Sequence, residues 1–196
     1  MALTRFTITK YGVIELNHVS WPETARVFGQ LPLLASDFAE ATPAMVAENG
    51  MWLVYDYAAG AVRLPDSEAD IVGVLYMGEK EYNKFEVGLN QFFLDSATGF
   101  LPRIGMPEVG DIYTTNTFCG DIAGVWANNA AMVTGLGTDL VGNNALYLIP
   151  STLGAPELVK YNDGALATAS TIARVVKYYT LPNGDPAIKV QFTKVA

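Results

Sequence analysis

Residues 48–82 read ENGMWLVYDYAAGAVRLPDSEADIVGVLYMGEKEY, and their punctuation sets the fold class. Asn49-Gly50 is a turn dipeptide that leads into residues 51–55, MWLVY, a run of aromatic and β-favouring side chains. Residues 56–60, DYAAG, reverse the chain, and residues 61–64, AVRL, return it as far as Pro65-Asp66. After a polar loop, residues 71–77, IVGVLYM, form a third apolar run. Three runs of roughly five to seven residues joined by short turns predict a β-meander. It holds no cluster of reactive side chains.

The same grammar extends in both directions. In residues 1–20, Phe6, Ile8 and Lys10 alternate with Thr7 and Thr9, which predicts a strand or an extended arm; residues 13–16 fit a second short strand after Gly12. Pro22, Gly29, Pro32 and Pro43 break residues 21–47 into short pieces. Residues 22–28 and 36–40 each fit a short helix, the alternative being a loop wrapped over the surface. Beyond the meander, residues 91–104 read as a hairpin in which Pro102 demotes its strand towards a sheet edge. Residues 112–118 and 145–149 are strand-prone. Residues 158–161 and 165–168 fit a hairpin about Asn162-Asp163-Gly164, and residues 172–179 and 187–192 fit a closing hairpin. The expected fold is mainly β: an antiparallel barrel or sandwich built from hairpins and meanders, with an extended N-terminal arm and few short helices. The expected division is an arm and irregular segment over 1–47, a meander lobe over 48–110 and a second β lobe over 111–196, or one continuous domain.

Composition narrows the function. With 196 residues, 51% hydrophobic and 16% charged, the chain is long and apolar enough to bury a sizeable core. No apolar run reaches the roughly 20 residues of a spanning helix, and no secretory leader is read at the start, so no membrane role is expected. A net charge of -8 with scattered Lys and Arg disfavours a nucleic-acid partner. One cysteine excludes an internal disulfide, in keeping with folding in a reducing cytoplasm.

The reactive candidates are few. His18, the one histidine, lacks a nucleophile motif around Ser20 or Cys119, and a buried or hydrogen-bonded role is expected for it. Cys119, beside Phe118, reads as a small buried apolar residue, and zinc held by one Cys and one His would need two distant carboxylates. Residues 135–142, GLGTDLVG, misplace the third glycine of a dinucleotide loop and lack its strand–helix setting. Asp56, Glu79, Glu81, Asp95, Asp111 and Asp121 offer carboxylates for a glycosidase pair, but turn roles suit Asp111 and Asp121. Trp21, Trp52, Trp126, Tyr55, Tyr57 and Tyr82 would suit a sugar platform, or a core and an interface. The expectation is therefore no catalytic residue, no metal and no cofactor.

Two segments resemble a known family. Residues 48–75 and residues 172–192, IARVVKYYTLPNGDPAIKVQF, are similar to segments of the decoration or cement-type capsid proteins of tailed bacteriophages. The resemblance spans about a quarter of the chain, and residues 22–47 and 119–145 have no counterpart in it. It implies a β-rich, non-enzymatic virion structural protein on the capsid exterior, made in the host cytoplasm. It also implies self-association, such as a trimer, and binding to the major capsid protein lattice. On that expectation Phe6, Ile8, Tyr11 and Trp21 contact a neighbouring subunit. The alternative classes are a carbohydrate- or receptor-binding β-module of a phage fibre, and a hydrolase with an unrecognised carboxylate pair.

Overall fold

The computed structural model describes residues 4–5, 12–38, 47–76, 101–120, 140–142, 145–182 and 184–196. In chain order the strands are β1 (Thr4–Arg5), β2 (Ile14–His18), β3 (Val27–Phe28), β4 (Trp52–Asp56), β5 (Ala61–Arg63), β6 (Gly73–Leu75) and β7 (Ile104–Gly105). They continue with β8 (Ile112–Thr115), β9 (Cys119–Gly120), β10 (Leu146–Ile149), β11 (Glu157–Lys160), β12 (Ile172–Thr180) and β13 (Pro186–Lys194). One short helix, α1 (Ala165–Thr168), stands before β12. The protein is mainly β, as the sequence predicts.

The strands form two sheets. An eight-stranded sheet runs β1-β9-β11-β10-β12-β13-β8-β2, and a five-stranded sheet runs β3-β7-β6-β4-β5. Pairing is antiparallel throughout except between β9 and β11. Neither sheet closes on itself among the described residues, so the architecture is a sandwich rather than a barrel.

Period-two alternation explains how β4 serves two cores at once. Trp52 and Val54 face the layer between the sheets, where Trp52 meets Tyr113 of β8 and Phe192 of β13. Leu53 and Tyr55 face outward into a second apolar layer with Val62, Leu75 and Ile104, covered by Leu33 and Phe38. The inter-sheet layer is aromatic at its centre. Trp52 and Phe192 stack at 5.4 Å, Tyr113 and Phe192 at 5.7 Å, and Trp21 meets Tyr113 edge-on at 6.5 Å. Trp52 Nε1–H donates to the Tyr113 hydroxyl at 2.8 Å, a buried hydrogen bond that ties one sheet to the other. On the far face of the large sheet, Leu166 of α1 packs on Ile149 and Val159.

Several expectations change. Residues 51–77 are not a meander: β6 pairs with β4 on the side opposite β5, so β4 is flanked on both edges. The edge strand β5 is instead covered by residues 31–34, with Leu34 N–H donating to Val62 O and Val62 N–H to Pro32 O. Residues 165–168 are helical, and β11 finds its partner in β10. Residues 22–28 make a turn closed on Ser20 O and Trp21 O, then β3, rather than two helical turns. Residues 36–38 lie in a turn closed on Leu34 O. Pro102 does not send its strand to an edge; β7 begins two residues later and lies between β3 and β6. The hairpin over 172–192 forms as expected, with Gly184 at φ 91° in its turn. Segment 1–47 divides, β1 and β2 joining the large sheet and β3 the small one, and the stretches 48–110 and 111–196 supply one sheet each to the shared core.

Candidate functional site

The exposed apolar groups of the small sheet gather at one place. A groove of about 510 Å³ is lined by Phe28, Val54, Tyr55, Tyr57, Ala69, Asp70, Ile71 and Met106. Tyr57 is 73% exposed and Ile71 53%. Three rings line up along the groove: Phe28 and Tyr55 lie 5.3 Å apart, Tyr55 and Tyr57 5.1 Å apart and edge-on.

Local chemistry fixes this arrangement. Asp56 Oδ1 accepts from the N–H groups of Ala58 and Ala59, an Asx-type turn that sets the direction in which Tyr57 leaves the sheet. Those backbone bonds, with the neighbouring Arg63 guanidinium, hold the Asp56 carboxyl below its usual value. Arg63 also meets Asp66 at 3.0 Å and Asp70 at 3.2 Å, so one guanidinium organises three carboxylates. Burial disfavours the Arg63 charge, but hydrogen bonds to Asp56 and Asp70 outweigh it and the net shift is upward. The loop carrying Asp70 is pinned to the other sheet. Thr168 Oγ1–H donates to Glu68 at 2.8 Å, Ser170 N–H to Glu68 O at 2.9 Å, and the Ser170 hydroxyl to Asp70 O. On the opposite wall, Gln30 N–H donates to the Tyr55 hydroxyl at 3.2 Å.

The sequence-predicted candidates do not converge here. His18 is exposed on β2, which bulges between Leu16 and His18, and its side chain makes no hydrogen bond among the described residues, contrary to expectation. Ser20 Oγ–H donates to Asp111 at 2.9 Å, which leaves its proton with a carboxylate rather than with an imidazole. Cys119 is buried, as expected, and its Sγ donates to Ala155 O at 3.0 Å. Cys119 is fully buried with its thiol on Ala155 O, whereas His18 is exposed, so the two do not share a centre. Among the described residues no three His, Cys, Asp or Glu side chains gather as a metal site would require. Asp111 is buried and accepts from Ser20 N–H and Glu108 N–H, a structural turn role. Glu79, Glu81, Asp95 and Asp121 lie outside the described residues, as do Trp126, Tyr82 and residues 135–139 of the glycine-rich run.

Of the roles the sequence offered its aromatics, Trp21 and Trp52 take that of core. Trp52 is fully buried and serves the core, leaving it no face for a sugar. Trp21 is also fully buried, its indole flat against Gly105, so it is not the subunit contact the sequence suggested. Phe6, Ile8 and Tyr11 lie outside the described residues. Phe28, Asp70, Ile71 and Met106 were not legible as groove residues, since they come from three separate chain segments. Tyr57, between Asp56 and Gly60 in a turn, carried the one local signal.

Among known proteins, no family model, no curated protein and no solved structure matches this chain. No helix among the described residues is long and apolar enough to cross a membrane.

Proposed function

We propose that this chain is a non-enzymatic virion structural protein, a decoration or cement protein on the exterior of a tailed-phage capsid, which associates with itself and with the major capsid protein. The observation that carries the proposal is how the polar side chains are used. Asp56 and Asp111, the two described carboxylates with any claim to catalysis, are occupied with holding backbone turns. Buried Glu48 accepts from Gly12 N–H and joins the chain before β2 to the turn before β4. Such a molecule holds a shape and offers surface. In a lattice, many weak copies of one contact become a stable attachment without any reactive group.

The test is whether the chain travels with particles. Virions of the phage that encodes it, purified by gradient, are analysed by quantitative mass spectrometry and treated with a surface protease before and after disruption. The expected result is a fixed ratio of this chain to the major capsid protein, with cleavage of the chain in intact particles. Absence from purified virions, or protection until the shell is broken, overturns the proposal.

A further inference from the structure

We infer that the groove between Tyr57 and Ile71 is a binding site for a neutral oligosaccharide. The inference stands apart from the capsid proposal, since it concerns what one face of this chain recognises wherever the chain resides.

The first reason is shape and surface. Tyr57, strongly exposed, is held by the edge of Tyr55 at 5.1 Å and by the Asp56 turn. An open aromatic ring beside Ile71 and Met106 presents an apolar wall of the kind that the C–H face of a pyranose covers. About 510 Å³ holds two or three sugar rings.

The second reason is the polar lining. Asp70 lines the groove, and with its Oδ2 occupied by Arg63 and by Asp66 N–H, its Oδ1 is left as an acceptor. The Tyr55 hydroxyl already accepts from Gln30 N–H, which leaves its own proton available to donate. A donor and an acceptor fixed beside an aromatic wall suit vicinal hydroxyls, each of which both donates and accepts.

The third reason is charge. Asp56, Asp66 and Asp70 surround the single guanidinium of Arg63, so this patch is net negative within a chain of net charge -8. Phosphorylated, sulfated, sialylated or uronic-acid ligands are repelled there. A peptide that adds a strand to β5 meets residues 31–34 already on that edge.

The experiment titrates the full chain with maltotriose, cellotriose, chitotriose and mannotriose by two-dimensional NMR, with 3′-sialyllactose and a proline-rich peptide as comparison probes. At least one neutral trisaccharide is expected to shift the amides of residues 54–58 and 69–71 saturably, and sialyllactose to bind more weakly. Tyr57→Ala, a change at an exposed ring, is expected to weaken binding about tenfold or more. Tyr57→Phe, which keeps the apolar face, is expected to stay within about threefold of the parent. No saturable shift with any neutral trisaccharide at millimolar concentration overturns the inference. So does binding that Tyr57→Ala leaves unchanged, or a preference for the peptide or for sialyllactose. Particle incorporation is unaffected by any of these outcomes, so the two proposals fail separately.

Discussion

At the scale of single residues, the indole nitrogens of Trp21 and Trp52 show how one residue type takes different roles. Trp52 Nε1–H has the Tyr113 hydroxyl as partner, while Trp21 Nε1 is buried without one. Trp21 is nevertheless retained tightly, because a Cβ on Gly105 would come within 2.6 Å of its ring. The indole thus occupies the space that a larger residue on β7 would need. Burial raises the Tyr113 phenol well above its usual range, in keeping with a hydroxyl that serves as a neutral acceptor. Trp52→Phe keeps the stacking on Phe192 but leaves the Tyr113 hydroxyl without its donor. The expected loss is about 1–3 kcal/mol of unfolding free energy, the cost of a buried unsatisfied polar group together with the smaller ring. Urea denaturation followed by fluorescence of the remaining tryptophans measures it, and a loss under about 0.5 kcal/mol would mean that this hydrogen bond does not link the sheets. That these tryptophans are aromatic anchors was legible in the sequence. Which of them is buried was not, since β4 and the turn after β2 supply no local signal of what covers them.

At the scale of elements, hairpins closed by glycine turns were readable and pairings between distant segments were not. The hairpin of β12 and β13 follows from residues 181–186, LPNGDP, where Gly184 adopts the left-handed backbone the turn needs. The hairpin of β4 and β5 follows from Asp56 and Gly60, at φ 62°, in the same way. By contrast, the place of β6 beside β4 rests on contacts across the sheet that no turn encodes. Residues 165–168, ALAT, read as the returning strand of a hairpin about Asn162-Asp163-Gly164. They form one helical turn instead: β11 pairs with β10, and Ala165 and Leu166 pack beside Ile149 and Val159. The β4–β5 turn also carries a pH dependence. Asp56 is held below its unfolded value by the Ala59 and Ala58 amides and by Arg63, so its contribution is present above about pH 4 and fades as the pH falls through the depressed value. Hydrogen-exchange protection at Ala58 and Ala59 is expected to decline on that acid side in the parent. In Asp56→Asn it is expected to be low and flat, and a parallel decline in both proteins would exclude Asp56 as its source.

At the scale of the whole molecule, the two sheets share one aromatic core and are further joined by polar contacts at their margins. Thr117 Oγ1–H donates to Asn49 O at 2.7 Å and Gly12 N–H to Glu48 at 2.7 Å. The loop 66–70 is fastened to residues 168–170 on the other sheet. Loss of either sheet would expose the inner face of its partner to water, at a cost no single sheet can carry. Unfolding is therefore expected as one cooperative transition, with far-ultraviolet circular dichroism and tryptophan fluorescence coinciding in urea. Two resolved transitions would instead assign 48–110 and 111–196 to independent domains.

The chain by itself determined the fold class, the position of its best hairpins and the small number of reactive side chains, because turn residues and two-residue alternation act over a few neighbouring positions. Only the tertiary structure decided the strand order, the burial of Trp21 and Trp52, and the meeting of Phe28, Tyr55, Tyr57 and Asp70 in one groove. Those outcomes depend on segments as distant as Trp52 and Phe192, 140 positions apart, packing their apolar faces together. Long-range packing of this kind leaves no trace in local spacing.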